Sequence, residues 1–158
     1  MKIIGRASWL VLILLIYCQP QSQQQFSAKE TWSSLVRSAT ENNVEQFVRC
    51  IDFTTAYQRM GYSKEKALEM DRKTKANISN SEFANLAESM RGLMRIMNKG
   101  EHVVINEKEE GLDLRTLEVR SIPKKGSDIR ESTDIWYFTK QNGQWLINYE
   151  VTSMKKGY

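Results

Sequence analysis

The sequence has few of the residues from which metal and cofactor sites are usually built. It contains one histidine, His102, and two cysteines, Cys18 and Cys50, and their spacing is not that of a zinc or calcium ligand set. A glycine-rich phosphate loop, a serine nucleophile elbow and a dinucleotide-binding fingerprint are also missing. We therefore expect neither a metal nor another cofactor.

Glycine and proline are scarce too, with eight and two residues in a chain of 158. Disordered and fibrous chains usually have more of both, so the composition indicates a globular protein with one domain. The formal net charge is +4, and it falls to +2 when Lys2 and Arg6 of the leader described next are set aside. Because the other basic residues are interleaved with acidic ones, no nucleic-acid partner is predicted.

The N-terminus has the pattern of an export leader. A basic start is followed by an almost entirely apolar run from Ala7 to Cys18, as in secretory signal peptides. A membrane-spanning helix needs about 20 apolar residues, so a permanent transmembrane anchor is not favoured. The expected organisation is a leader at 1–22, a polar spacer at 23–26, a single α+β domain at 27–153 and a basic tail at 154–158.

Two outcomes are open at the end of this leader. The run Leu15-Ile16-Tyr17-Cys18 resembles the lipobox of bacterial lipoproteins, in which the cysteine is acylated and becomes the new N-terminus, although Tyr17 replaces the small residue of that pattern. The alternative is cleavage near Cys18 or Ser22 and secretion as a soluble protein. Both predict export, with membrane contact only through the leader or a lipid anchor.

Cys50 is unpaired under either outcome. It lies in an apolar run of helical spacing, so we expect a buried side chain of the kind that packs as a small hydrophobe. A catalytic thiolate would need a base beside it, and nothing in the sequence brings His102 near.

Apolar residues recur at helical spacing through the first two thirds of the chain. A capping box formed by Ser27 and Glu30 begins the first helix, which ends around Glu41. Three further helices are predicted. One is capped by Asn43 and continues to Gly61, one covers 63–75, and one follows a capping box at Ser79–Glu82 and ends with Gly100 as its C-cap.

The period changes from 3.6 to 2 after Gly100. Strands are predicted at 101–108 and at 112–122, with a bulge near Arg115–Thr116 because the apolar parity changes there. A loop at 123–128 precedes the last two strands, which alternate strongly and are joined at Asn142-Gly143, a strong signal for a type I′ hairpin.

This turn fixes which hairpin residues face each other. It pairs Trp136 with Tyr149, Phe138 with Ile147, Lys140 with Trp145 and Asp134 with Val151. One face then carries Trp136, Phe138, Trp145, Ile147, Tyr149 and Val151. The other carries Ile135, Tyr137, Thr139, Leu146, Asn148 and Glu150. The first face is predicted to be buried, and the second is mixed.

Helices followed by a meander of strands predict an α+β fold, with N-terminal helices packed on a curved antiparallel sheet of about four strands. The pattern Trp136-Tyr-Phe-x-Lys-x-x-Gly143-x-Trp145-Leu-Ile resembles the last hairpin of the nuclear transport factor two-like superfamily, also called the cystatin-like or ketosteroid-isomerase-like cone folds. The run that starts at Asn43 is similar to their early helix. This resemblance covers about residues 27–153.

The resemblance implies a cone-shaped pocket between sheet and helices. Its lining here would be Trp136, Phe138, Trp145, Ile147 and Tyr149. Ketosteroid-isomerase relatives place a carboxylate base and a phenol or acid donor in such a pocket. By residue type and face, the catalytic candidates are Asp134 and Tyr149, together with Asp52 or Tyr57 from the helices. None of them matches a known catalytic motif residue by residue, so no role is transferred.

Two functional hypotheses follow, since this superfold hosts many activities. The first is an exported, non-enzymatic domain that binds an apolar small molecule, a peptide or a partner protein through the pocket or a sheet face. The alternative is a small ketosteroid-isomerase-like enzyme that uses a pocket carboxylate. A homodimer formed through Ile135, Tyr137 and Leu146 is compatible with both.

Overall fold

The structure of the protein is a computed structural model, and it describes residues 26–149. The leader with Cys18, most of the spacer, the C-terminal end of the predicted domain and the basic tail lie outside the described residues. Five α-helices are present in this part of the chain: α1 (Ala28–Thr40), α2 (Val44–Arg49), α3 (Thr54–Arg59), α4 (Lys64–Asn77) and α5 (Ala84–Met97). None of the helices within 26–149 has the length and apolar character needed to cross a membrane.

The first helices begin where their caps predict. Ser27 accepts a hydrogen bond from the Glu30 amide while Glu30 accepts one from the Ser27 amide, so the predicted capping box is confirmed. Asn43 caps α2 through the amide of Gln46. The capping box predicted at Ser79–Glu82 is wrong. A short 3-10 turn (Ser81–Phe83) precedes α5, and the Ser79 hydroxyl donates to Glu45 instead.

The predicted α+β class is confirmed, although the sheet has five strands and is mixed. The strands are β1 (Ile51–Asp52), β2 (Gly100–Glu109), β3 (Leu114–Pro123), β4 (Ser132–Gln141) and β5 (Gln144–Asn148). Their order in the sheet is β1-β5-β4-β3-β2. All neighbouring pairs are antiparallel except β1 with β5, which is parallel.

Strand β1 interrupts the helix that was predicted to run to Gly61. Ile51 pairs with Ile147 across the sheet, and the Ile147 amide donates to the Cys50 carbonyl. The Asp52 carboxylate accepts hydrogen bonds from the amide of Thr54 at 2.7 Å and from the hydroxyl of Thr139 at 2.7 Å. Side-chain bonds of this kind compete with the helical hydrogen bonds of the backbone, so the helix stops and a new one begins.

The hairpin formed by β4 and β5 has the predicted register over its paired residues, but β5 ends at Asn148, so the predicted pair of Trp136 with Tyr149 is not part of the ladder. Phe138 faces Ile147, and Lys140 faces Trp145. Asn142 and Gly143 have φ values of 48° and 82°, the positive values that a type I′ turn requires at both central positions. The predicted partner of Asp134, Val151, lies outside the described residues.

The predicted bulge and C-cap are both wrong in position. Strand β3 pairs with β4 without a shift, so Leu114 lies on the opposite face from Leu117, and Leu112 is exposed in the preceding turn. The register shift lies in β2 between Val104 and Asn106. Helix α5 ends with Asn98 as its cap, and Gly100 is the first residue of β2. A Cβ on Gly100 would lie 3.1 Å from both the Ile122 carbonyl oxygen and Ile129 Cδ1, so glycine is needed there for close approach.

The core lies between the inner face of the sheet and the helices. Its fully buried side chains include Phe138 and Leu117 from the sheet, Leu35 and Phe47 from α1 and α2, and Met94 from α5. The mixed face is only partly open. Ile135 is 49% exposed, but Leu146 is only 8% exposed, because the start of α3 covers that end of the outer face. The Thr54 hydroxyl, for example, accepts a hydrogen bond from Gln141.

Candidate functional site

A cavity of about 590 Å³ lies between α5, the inner face of the sheet and the segment that precedes β4. Its volume is within the range of small-molecule sites in proteins. The apolar side chains that line it are Leu35, Ile51, Met90, Leu93, Ile96, Met97, Ile129, Trp136 and Ile147. The polar side chains are Ser89, His102, Ser121, Arg130, Ser132, Asp134 and Tyr149. The wall is therefore mainly apolar, with a few polar groups.

Helix α5 supplies the largest part of this wall. Met94 of this helix is buried in the core, at 1% exposure. Met90 and Met97 are buried as well, yet they also border the cavity. The apolar residues on one face of α5 thus belong to the core and also border the cavity, because the cavity adjoins the core along this face. Ile96, which lies at the edge of this face, is 49% exposed.

His102 is held by neighbours on both ring nitrogens. Its Nε2 lies 2.7 Å from the Met97 carbonyl oxygen, and its Nδ1 lies 2.9 Å from the Ser121 hydroxyl. A carbonyl can only accept, so Nε2 carries the hydrogen and, in the neutral ring, Nδ1 accepts from Ser121. Trp32 packs edge-on against the ring, with centroids 6.0 Å apart. His102 therefore ties α5 to β2 and β3, and no cluster of three metal-ligating side chains occurs among residues 26–149.

Asp134 is the acidic group of the cavity wall. It lies on the inner face of β4, opposite Val119 of β3, and is partly buried. Its Oδ2 accepts a hydrogen bond of 3.0 Å from the Ser132 hydroxyl. A carboxylate in such a place can accept further hydrogen bonds from a bound molecule or act as a base toward it.

The residues predicted to line the pocket separate into two groups. Trp136, Ile147 and Tyr149 border the cavity. Phe138 is completely buried in the core, and Trp145 lies under the Arg115 guanidinium, whose central carbon is 4.7 Å from the indole ring. Neither of these two is part of the cavity wall.

The four catalytic candidates are also divided. Asp134 and Tyr149 both border the cavity, whereas Asp52 is buried on the outer side of the sheet, where it binds Thr54 and Thr139. The Tyr57 hydroxyl lies against the hydroxyl of Thr74. Thr74 already donates to a backbone carbonyl of α4, so Tyr57 is the donor, and its hydrogen bond joins α3 to α4.

The segment between β3 and β4 forms the side of the cavity that sequence reasoning missed. Ile129 reaches the cavity from this segment, and its Cδ1 packs close to Gly100. The segment is fastened by Lys99, whose ammonium lies 2.7 Å and 3.0 Å from the two carboxylate oxygens of Asp128. This hydrogen bond lowers the pKa of the Asp128 carboxyl. The one sequence signal was Ile129 itself, an isolated apolar residue in a polar stretch.

The predicted burial of Cys50 is confirmed. The residue is 6% exposed, and its burial raises the pKa of the thiol above its usual value. Reactive cysteines have a lowered pKa and an accessible sulfur, so the environment of Cys50 is that of a structural side chain.

Comparisons of the chain with known protein families, with curated proteins and with solved structures found no match. The resemblance to the cone folds therefore stays a prediction from the hairpin and early-helix patterns.

Proposed function

We propose that this protein binds an apolar small molecule in the cavity between α5 and the sheet, without chemical change to it. The observation that carries the proposal is the volume of about 590 Å³ beside Trp136, bordered mainly by apolar side chains. Transfer of apolar surface from water into such a site is favourable by about 25 cal/mol per Å². A peptide or protein partner on the outer sheet face has less support, because Leu146 is buried there.

The test is a titration with a neutral fluorescent hydrophobic probe, N-phenyl-1-naphthylamine, with and without a substitution that fills the cavity. Leu93 borders the cavity and is partly buried, so Leu93→Trp places an indole in the empty space. We expect this variant to bind the probe at least about tenfold more weakly, the equivalent of about 1.4 kcal/mol.

Ile135→Trp is the matched control. It makes a similar change in side-chain size on the exposed outer face of β4, so its affinity for the probe should equal that of the unchanged protein. Equal affinity of all three proteins would contradict the proposal, because the probe would then be bound elsewhere.

A second candidate function is a small isomerase of the ketosteroid-isomerase type. The observation in its favour is that Asp134 and Tyr149 border the same cavity, as a base and a hydroxyl donor must in order to act on one substrate. Proton exchange into a bound unsaturated ketone, followed by NMR in deuterated buffer, separates the two functions. Exchange that Asp134→Asn abolishes would favour the enzyme, and binding without exchange would favour the first proposal.

We also propose that the domain is exported, on the support of the leader pattern at 1–22. Mass spectrometry of the mature N-terminus distinguishes the two outcomes. An acylated Cys18 would indicate an anchor at the cell envelope, whereas an unmodified end near Cys18 or Ser22 would indicate soluble secretion. A full-length chain with Met1 would contradict export through this leader.

A further inference from the structure

We infer that the ligand of the cavity is an amphipathic molecule with an anionic head group, which Arg130 binds at the mouth while the apolar part lies inside. This inference rests on the proposed binding function and specifies the class of ligand. Four features of the cavity support it: the satisfied polar groups around His102, the lack of an ion pair at Arg130 among the described residues, the excess of basic residues at the mouth and the position of Asp134.

The polar groups around His102 are already occupied. Both nitrogens of the ring have partners, the Met97 carbonyl and the Ser121 hydroxyl. A polar ligand group placed against them would have to break one of these hydrogen bonds, and burial of an unpaired polar group is costly. The part of the ligand that lies here is therefore apolar.

The mouth offers a cation that has no ion pair with any residue the structure describes. Arg130 borders the cavity and is exposed, and it forms no ion pair with another residue of 26–149. Its acidic neighbours are both engaged, Asp128 with Lys99 and Glu131 with Arg120. A guanidinium binds carboxylate and phosphate oxygens through paired N–H donors, so Arg130 can bind an anionic head group without the loss of an existing ion pair.

Basic residues outnumber acidic ones around the mouth. The second half of α5 with the residues after it, 88–99, and the segment 124–131 together contain six Lys and Arg against three Asp and Glu. Glu88 is paired with Arg95, which lowers the pKa of its carboxyl. The excess of basic groups gives the mouth a positive potential, which attracts anions.

Asp134 determines on which side of the cavity the anionic head group is held. Its carboxylate belongs to the same wall and accepts from Ser132, so it repels an anionic head group that comes close. The head group is therefore held on the Arg130 side. This gives two substitutions of opposite expected effect, since loss of the Arg130 charge weakens anion binding and loss of the Asp134 charge strengthens it.

The experiment uses three probes with the same dodecyl chain and different head groups: dodecanoate, dodecanol and dodecyltrimethylammonium. Each displaces N-phenyl-1-naphthylamine from the protein at neutral pH, at concentrations below micelle formation. We expect dodecanoate to bind most tightly and the cation most weakly. Arg130→Gln should weaken the affinity for dodecanoate by up to about fivefold, as for a solvent-exposed ion pair, and should leave the affinity for dodecanol unchanged. Asp134→Asn should strengthen the affinity for dodecanoate by a similar factor.

Lys125→Gln is the matched control, because it removes one positive charge from the same segment at a residue that does not border the cavity. It should change dodecanoate binding by less than half as much as Arg130→Gln. Equal effects of the two substitutions, equal affinity for all three probes, or a preference for the cation would overturn the anionic head group while the proposed binding function stands. Failure of every probe to bind, the naphthylamine included, would instead remove both.

Discussion

Two regions of one sheet face are covered in different ways. In the packed region, formed by Leu117, Phe138 and Trp145, the side chains are buried and border no part of the cavity. In the cavity region, formed by Trp136, Ile147 and Tyr149, a space of about 590 Å³ lies between α5 and the strands. The residues of both regions follow the same alternating pattern in the sequence. Alternation therefore determines which face of the sheet a side chain lies on, but not whether helices pack closely against that part of the face.

The difference follows from the helix that lies over each region. At the packed region, the Thr31 hydroxyl of α1 donates to the Trp145 carbonyl at 2.6 Å, and this hydrogen bond holds α1 close to β5. Trp32, one residue further, marks the border of the two regions, with its ring centroid 4.8 Å from that of Trp136. At the cavity, His102 binds the carbonyl of Met97 at the C-terminal end of α5. The cavity lies between the preceding part of this helix and the sheet.

The largest expected effect comes from the same substitution made in both regions. Leu117 is completely buried in the packed region, whereas Leu93 borders the cavity. Leu117→Ala should lower the free energy of unfolding by about 2 to 5 kcal/mol, since it removes packed contacts and leaves a void. Leu93→Ala should lower it by about 1 kcal/mol, because one side of Leu93 already faces open space. Urea unfolding measures both, and equal losses would mean that the cavity region is packed as tightly.

A medium effect is expected at Asp52, which lies outside both regions. Asp52→Asn weakens two hydrogen bonds of a buried carboxylate, those from Thr54 and Thr139, and should lower the free energy of unfolding by about 1 to 3 kcal/mol. Thr139→Val removes only one of these two hydrogen bonds and should lower the free energy of unfolding by less. Naphthylamine binding should be unchanged in both variants, since neither residue borders the cavity; weaker binding by folded Asp52→Asn protein would show that β1 supports the cavity wall.

The fold agrees with the sequence patterns where these depend on local residues. The hairpin, its register and the first helix caps were predictable because each depends on residues that are close in the chain. Strand β1 was missed because Ile51 suits a helix as well as a strand, and its partner Ile147 is distant in sequence. The prediction of a helix cap at Gly100 is wrong for the same kind of reason. Its role depends on Ile129, which reaches it only in the folded chain.

The candidate site was predictable only in part. Trp136, Ile147 and Tyr149 were placed on the correct face by the turn at Asn142 and Gly143, whereas Phe138 shared that face without bordering the cavity. Arg130 gave no signal in the sequence, because a single arginine in a polar stretch is typical of any solvated surface. Only the fold brings it to the mouth.

The smallest expected effect is a pH dependence at the segment that borders the cavity. The pKa of Asp128 is lowered by its hydrogen bond to Lys99, so the pair stabilises the fold above the unfolded-state pKa of about 3.9. This contribution is lost as the pH falls through the lower pKa of the folded state. Asp128→Asn should therefore be slightly less stable than the unchanged protein at pH 6, and the difference should vanish toward pH 2. A difference that grows on acidification would contradict the assignment of this pair.

The two-residue strand β1 also has a consequence for how the sheet meets other chains. It covers β5, whose residues are almost all buried, and leaves an outer margin too short to pair with a further strand. At the opposite margin, β2 has a register shift and carries Glu101, Glu107, Lys108 and Glu109. Short, bulged and charged edge strands hinder the addition of another strand. Within residues 26–149, both margins of the sheet are thus protected against edge-to-edge aggregation.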